Sequence, residues 1–408
     1  MDIGDSPEEA AFRAEARAFL EQHAERKQPG VTNLDELNRH DPDWMHNHLE
    51  FCRQWQHVLY GNGWAGITWP KEFGGRGGTS IQQAIYSEEE SHFDVTSGVF
   101  TVGIGMVAPT LMTHGTSEQQ ERYLDVMLRG DELWCQLFSE PGAGSDLATL
   151  GTRAVRDGDE FVVDGQKVWN SYAQYADWGI LLARTDPDAP KHRGISYFVL
   201  DMKTPGIDVR PLRQITGIAH FNEVFFSGVR IPAENVVGEV NGGWAVAHTT
   251  LANERTAIGV GGGGRNFDDI VALARRFDVT SDPTFREEIM QAYTRTAVLR
   301  YLGLRLRTAM SRGTPPGPEA SVLKLAFSQH AARTGDLVMR MLGAEATLYG
   351  DDALDRARWQ DYFLNQFNVR IGGGTDEVQR NGIAERVLGL PRDPMSDRDI
   401  PWKDLARS

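Results

Sequence analysis

The hydrophobic pattern of this chain changes period twice, and those two changes limit the fold more than any other feature. Ser6-Pro7-Glu8-Glu9 has the make-up of a helix start, with Ser as N-cap, Pro at N1 and acids in the first turn. Phe12, Ala16, Phe19 and Leu20 then recur at helical spacing. From about Trp44 to Leu128 the pattern stays mostly helical, broken at Gly61-Asn62-Gly63 and at Trp69-Pro70-Lys71-Glu72-Phe73-Gly74-Gly75; Thr116-Ser117-Glu118 opens another helix, which ends at Gly130. After Asp131 the apolar residues fall into short, partly alternating runs, Val155 to Val163, Gly179 to Thr185, Gly194 to Leu200 and Glu223 to Val229, parted by Gly, Pro and Asp turns. One of these is a hairpin with an Asp157-Gly158 turn. Pro187 to Gly194 reads as an exposed connection between strands. From Trp244 to about Gly389 the helical period returns: Asp282-Pro283 starts one helix, Ala320 to Met341 forms a long one, and Gly313-Thr314-Pro315-Pro316-Gly317-Pro318 is a break. The prediction is a mainly α protein with a central β domain, divided as 1–130, 131–243 and 244–408.

Charge and cysteine content narrow the function. Lys and Arg total 42 against 57 Asp and Glu, a formal net charge of −15 that argues against non-specific nucleic-acid binding. No apolar run approaches the roughly 20 residues needed to cross a bilayer. Cys52 and Cys135 lack a metal-ligand pattern and read as reduced thiols; Cys135 reads as a small buried apolar residue rather than a nucleophile. The acidic N-terminus has no signal pattern, so a cytosolic protein is expected.

The chemistry concentrates in two stretches. Trp134-Cys135-Gln136-Leu137-Phe138-Ser139-Glu140-Pro141-Gly142-Ala143-Gly144-Ser145-Asp146 begins as a buried apolar strand and breaks into a loop of small and polar residues. Its backbone N–H groups can converge on one ligand, and Ser139 and Ser145 add hydroxyl donors. Gly165-Gln166-Lys167-Val168-Trp169-Asn170-Ser171 is a strand ending in an indole and another hydroxyl. A flat indole beside a hydroxyl-lined loop suits a planar ring with polar edges.

These stretches resemble the signatures of the acyl-CoA dehydrogenase family, Thr/Ser-Glu-Pro-x-Ala-Gly-Ser-Asp and Gly-x-Lys-x-Trp-x-Thr/Ser. The resemblance continues through Trp69 to Gly75, Phe221-Asn222-Glu223-Val224, Val229-Arg230-Ile231-Pro232, Asn235-Val236-Val237-Gly238 and Gly372-Gly373-Gly374-Thr375-Asp376-Glu377-Val378-Gln379-Arg380-Asn381. It implies an N-terminal helical domain, a β-barrel-like middle domain and a C-terminal four-helix bundle whose helices form a tetramer core. It also implies bound FAD, an acyl-CoA substrate oxidised to a trans-2-enoyl-CoA, and an electron-transferring flavoprotein as acceptor. By the same resemblance Leu137, Phe138, Ser139, Gly144 and Ser145 contact the flavin, and Trp169, Asn170 and Ser171 cover its ring. Thr375 and Glu377 would meet the FAD of a neighbouring subunit, and Ser145, Arg255 and Gly373 face the substrate.

Many family members place the catalytic base immediately before Gly-Thr in the C-terminal motif. Here that position is Gly373, which has no side chain to take a proton. A subset carries the base in a Leu-x-x-Glu-Arg helix, and Leu251-Ala252-Asn253-Glu254-Arg255 matches it, so Glu254 is the expected base. An intrahelical Glu254–Arg255 bridge is disfavoured because adjacent residues do not share a helix face. Asp376 and Glu377 are the competing carboxylates. Lys191-His192-Arg193-Gly194-Ile195-Ser196, together with the Glu-Arg helix, resembles the branch acting on bulky steroid-type thioesters, some of which are mixed tetramers of two related chains.

The chain departs from the family pattern at Leu273-Ala274-Arg275-Arg276-Phe277-Asp278-Val279 and at Leu342-Gly343-Ala344-Glu345-Ala346, where the family often has Arg-x-x-Phe-Gly and Leu-Gly-Gly-x-Gly. Both affect how a neighbouring chain completes the cofactor site. The run Gly259-Val260-Gly261-Gly262-Gly263-Gly264 follows a helix, not a strand, so it is no dinucleotide fingerprint; it is expected to loosen the helix and widen the acyl pocket. Two alternatives stay open: a flavin oxidase or monooxygenase on the same fold, or a structural subunit of a mixed tetramer.

Overall fold

The structure is a computed structural model. It describes residues 5–27, 43–261, 267–311, 317, 319–392, 397 and 399–405, and of 255–261, 307, 310 and 311 the backbone alone. The N-terminal part is helical: α1 (Pro7–His23), α2 (Trp44–Gly61), α3 (Ser80–Glu90), α4 (Ala108–His114) and α5 (Ser117–Arg129). The start of α1 is a capping box in which Ser6 and Glu9 satisfy each other's backbone N–H, and Thr116 with Gln119 does the same for α5. Gly130 closes α5 at φ 84°, a left-handed cap where other residues strain. A π-helical turn, Gly103–Val107, runs directly into α4.

Among the described residues the middle part is a seven-stranded curled sheet of β1 (Trp134–Leu137), β2 (Arg153–Asp157), β3 (Glu160–Ser171), β4 (Trp178–Arg184), β5 (Ile195–Asp201), β6 (Ile207–Leu212) and β7 (Phe221–Pro232). Its order is β1-β4-β2-β3-β7-β6, with β5 on the other side of β4. Both faces of the β1-β4-β5 region are buried. Trp134, Ile180, Leu182, Tyr197 and Val199 pack against α4 and α5, while Cys135, Leu137, Leu181, Phe198 and Leu200 fill the interior of the curl. Two features depart from the sequence reading. β6 carries Pro211 and pairs only with β7 along this path, an edge position that tolerates proline. The hairpin turn lies on Gly158–Asp159, because Asp157 itself pairs with Glu160.

The C-terminal part comprises α6 (Gly243–Gly261), α7 (Phe267–Arg276), α8 (Pro283–Ser311), α9 (Ala320–Leu342), α10 (Arg358–Val369) and α11 (Asp376–Gly382). Helix α9 packs against α6, α8, α10 and α11. The proline-rich break after α8 lies, apart from Gly317, outside the described residues, as do Gly262, Gly263 and Gly264 of the glycine run. Helix α6 is seated on β5. A Cβ on Gly243 would fall 2.6 Å from the backbone of Ser196 and Tyr197, so only glycine permits this approach. Farther along, Thr250 Oγ1 lies 2.9 Å from Thr110 Oγ1 and 3.1 Å from the Tyr197 hydroxyl, fixing the helix one turn before Glu254.

Candidate active site

The two motif stretches meet at the end of β1. Val168 donates its N–H to Ser139 O at 2.9 Å, and Asn170 Nδ2 donates to Gln136 O at 2.7 Å. Beneath this junction the fully buried Lys167 ammonium donates to Phe138 O at 2.9 Å and to Glu140 Oε1 at 2.7 Å. Glu140 also accepts the N–H groups of Gly151 (2.6 Å) and Thr152 (2.9 Å). Burial alone would raise the Glu140 carboxyl; Lys167 and these donors more than offset it and hold the group below the usual carboxylate range. Glu140 and Lys167 therefore lock the ligand loop onto β3, a role the sequence reading missed. The signal was there: an ammonium in one motif stretch and, in the other, an acid shortly after the apolar strand.

Trp169 stands out by its backbone. It sits on a bulge between Val168 and Asn170, has φ 65°, and presents an indole that is 61 % exposed, edge-on to Phe221 at 6.3 Å. A left-handed aromatic on a strand is strained, and such strain gathers at functional sites. Ser139 and Ser171 are half-buried, and the Gly144–Ser145–Asp146 segment is exposed. Leu137 and Phe138 differ: both side chains are buried, Leu137 within the curl and Phe138 edge-on to Tyr197, so only their main chain can face a ligand. Asn170 is buried too, its amide turned back to Gln136, with Oδ1 lacking a hydrogen-bond partner among the described residues.

Glu254, half-buried on α6, reaches this junction: Gln136 Nε2 donates to its Oε2 at 3.5 Å. Gln136 thus links the carboxylate, through its own carbonyl, to Asn170 beside the exposed indole. Nothing in the sequence distinguished this glutamine, an amide in mid-strand. The Arg255 side chain lies outside the described residues. Burial pushes the Cys135 thiol well above its ordinary value, which fits an inert core position.

The C-terminal motif is organised around α9. Gly373 (φ 66°) and Gly374 (φ 91°) make a left-handed loop whose carbonyls accept from Gln379 Nε2, and Gly374 O also accepts from Lys324 at 2.7 Å. Thr375 caps α11 by accepting the Val378 N–H at 3.1 Å. The buried Asp376 accepts from Ser328 at 2.6 Å and lies 3.3 Å from Arg370, so its carboxylate holds the loop. Glu377 is exposed and paired with Arg380 at 2.9 Å. Within one chain, then, the β1 loop, Trp169 and Glu254 come together, while Gly373, Thr375 and Glu377 form a second group anchored to α9 and α11.

A further difference concerns Pro187 to Gly194, expected as an exposed connection. Lys191 within it is buried, 3 % exposed, and paired with Asp146 and Asp397 at 2.8 Å each, because the C-terminal segment lies over it.

The fold and this junction define a member of the acyl-CoA dehydrogenase family, to which the chain belongs: it matches that family's N-terminal domain over residues 6–131, its middle domain over 135–229 and its C-terminal domain over 241–388. It is 38% identical to the acyl-CoA dehydrogenase IpdE1 of Mycobacterium tuberculosis, across 94% of this chain and 98% of that one. Among solved structures it is similar to "Tcur3481-Tcur3483 steroid ACAD" (TM-score 0.82, 33% identity, 96% of this chain and all of that one). It is also similar to the ChsE4-ChsE5 complex of Mycobacterium tuberculosis (TM-score 0.78, 32% identity, 96% of this chain and 100% of that chain). The enzyme class is that of an acyl-CoA dehydrogenase. Among the described residues no helix is long and apolar enough to cross a membrane.

Proposed function

We propose that this chain is an FAD-dependent dehydrogenase that oxidises the Cα–Cβ bond of a bulky, steroid-type acyl-CoA to a trans-2-enoyl-CoA, with Glu254 as base. The observation that carries this reading is the position of one carboxylate. Glu254 rises from α6 to Gln136 at the end of β1, beside the outward indole of Trp169, while the C-terminal loop offers glycine at 373.

The residues at the junction fit a flavin. An aromatic side chain stands exposed, the half-buried Ser139 accepts the Val168 N–H next to it, the half-buried Ser171 follows two residues on, and a Cβ at Gly142 or Gly144 would meet nothing within 4 Å. FAD, when bound, supplies the acceptor for the hydride leaving Cβ. Glu254 takes the proton from Cα, and the electron pair left there becomes the new double bond. Gln136 donates to this carboxylate and so helps to hold the base at the end of β1. The Gly373 backbone N–H, the Arg255 side chain and the Ser145 hydroxyl are assigned to the thioester side, and Thr375 and Glu377 to the cofactor of a neighbouring subunit. The domains are taken as 1–130, 131–243 and 244–408.

An electron-transferring flavoprotein is the proposed acceptor. A mixed tetramer with a related chain is favoured over a homo-tetramer, since two similar structures carry paired chain names. The test is an anaerobic titration of the yellow protein with acyl-CoAs of increasing bulk. We expect near-complete bleaching by ring-bearing thioesters. Fast reoxidation in air would replace this reading with an oxidase, and selectivity for a C4 thioester would remove the bulky substrate and the pocket-widening role of the glycine run.

A further inference from the structure

The loop that carries Ser145 does not hold its shape alone. Asp146, the next residue, pairs with Lys191, and Lys191 pairs in turn with Asp397 of the C-terminal segment. Trp402 Nε1 donates to Thr149 O at 3.0 Å, while its backbone N–H donates to Ala189 O at 2.9 Å and that of Lys403 to Pro187 O at 3.0 Å. Between the two loops the buried Arg184 donates to Ala148 O (2.6 Å), Leu150 O (3.3 Å) and Lys191 O (2.8 Å), and its guanidinium lies 5.0 Å from the Trp402 ring centre. The same 187–193 loop reaches the start of α6, where His192 meets Trp244 edge-on at 5.0 Å. Asp397 and residues 399–405 therefore reach across two loops of the β domain and fix both to one another.

We propose that this C-terminal segment straps the Gly144–Asp146 loop into the shape that accepts acyl-CoA, with Trp402 and Asp397 as positioning residues that act through the loop and touch no reacting atom. The inference rests on the reading of Ser145 as a substrate contact. Ala143 is buried and doubly hydrogen-bonded to Glu140, which anchors the first half of the loop, but Gly144, Ser145 and Asp146 after it are exposed, so the ordering free energy of that half comes from groups beyond it.

The test uses the full-length holoenzyme and its Trp402→Ala, Asp397→Asn, Ser145→Ala and Ser145→Ala/Trp402→Ala forms. Steady-state turnover and calorimetric binding of a ring-bearing acyl-CoA are both read. Trp402→Ala is expected to raise KM and the dissociation constant about tenfold with kcat within about twofold of the parent, as for loss of positioning without loss of chemistry. Asp397→Asn, a near-isosteric change at a half-buried side chain, keeps the fold and should move both in the same direction by less. The double variant should bind better than the product of the two single effects implies. Unchanged binding in both tail variants, independent effects in the double variant, or a fall in kcat without a change in KM overturns the strap. If Ser145→Ala leaves binding unchanged, the Ser145 assignment falls and the strap with it; weakened binding in Ser145→Ala beside inert tail variants overturns the strap alone.

Discussion

Glu140 and Lys167 belong to the family motifs, yet their charges face each other rather than a ligand. Each is the other's compensation, Lys167 fully buried and Glu140 largely so, and removing one leaves the other's charge without its counter-ion. Lys167→Met is expected to cost about 3 kcal/mol in denaturant unfolding, with part of the loss restored by adding Glu140→Gln. The pH dependence follows from the depressed Glu140 carboxyl: the pair's contribution is whole above the ordinary carboxylate value of 4.5 and fades as pH falls below it. Lys167→Met should flatten that acid dependence. Gln136 belongs to the same scale. Gln136→Leu removes the side chain that meets Glu254 at the end of β1, so kcat/KM should fall by about tenfold with FAD content kept; an unchanged kcat/KM would remove Gln136 from the mechanism. Residue types told where chemistry was concentrated. They could not tell that Leu137, Phe138 and Asn170 turn their side chains inward, because that depends on which face of a curled sheet each occupies.

At the scale of elements, the helix starts were legible because capping is local: Ser6 with Glu9 and Thr116 with Gln119 stand three residues apart. Strand β6 was missed because Pro211 reads as a breaker, and only pairing with the distant β7 makes the edge strand form. The buried state of Lys191 was equally hidden, since its partners lie 45 and 206 residues away. The seat of α6 on β5 has a testable consequence. Gly243→Ala pushes a methyl into the Ser196–Tyr197 backbone and should destabilise the protein by about 1–3 kcal/mol in chemical denaturation. Because α6 carries Glu254, turnover should fall more than cofactor content.

At the scale of the whole molecule, α8 leaves Met290, Tyr293, Val298 and Tyr301 exposed at helical spacing, an apolar stripe of the kind that assemblies cover. Light scattering is expected to give a mass of several chains, and Tyr293→Glu/Tyr301→Glu to lower it. The helix–sheet–helix order was visible in the period of the hydrophobic pattern; the joining of Glu254 to the β1 junction was not, because it spans 118 residues and two elements. That joining is also where the functional reading is most exposed to test. The most direct measurement is single-turnover bleaching of the holoenzyme and its Glu254→Gln form by a ring-bearing acyl-CoA. We expect the variant to keep its FAD and to lose turnover by about a thousandfold or more, the scale of losing a general base; bleaching at the parent rate would contradict Glu254 as the base.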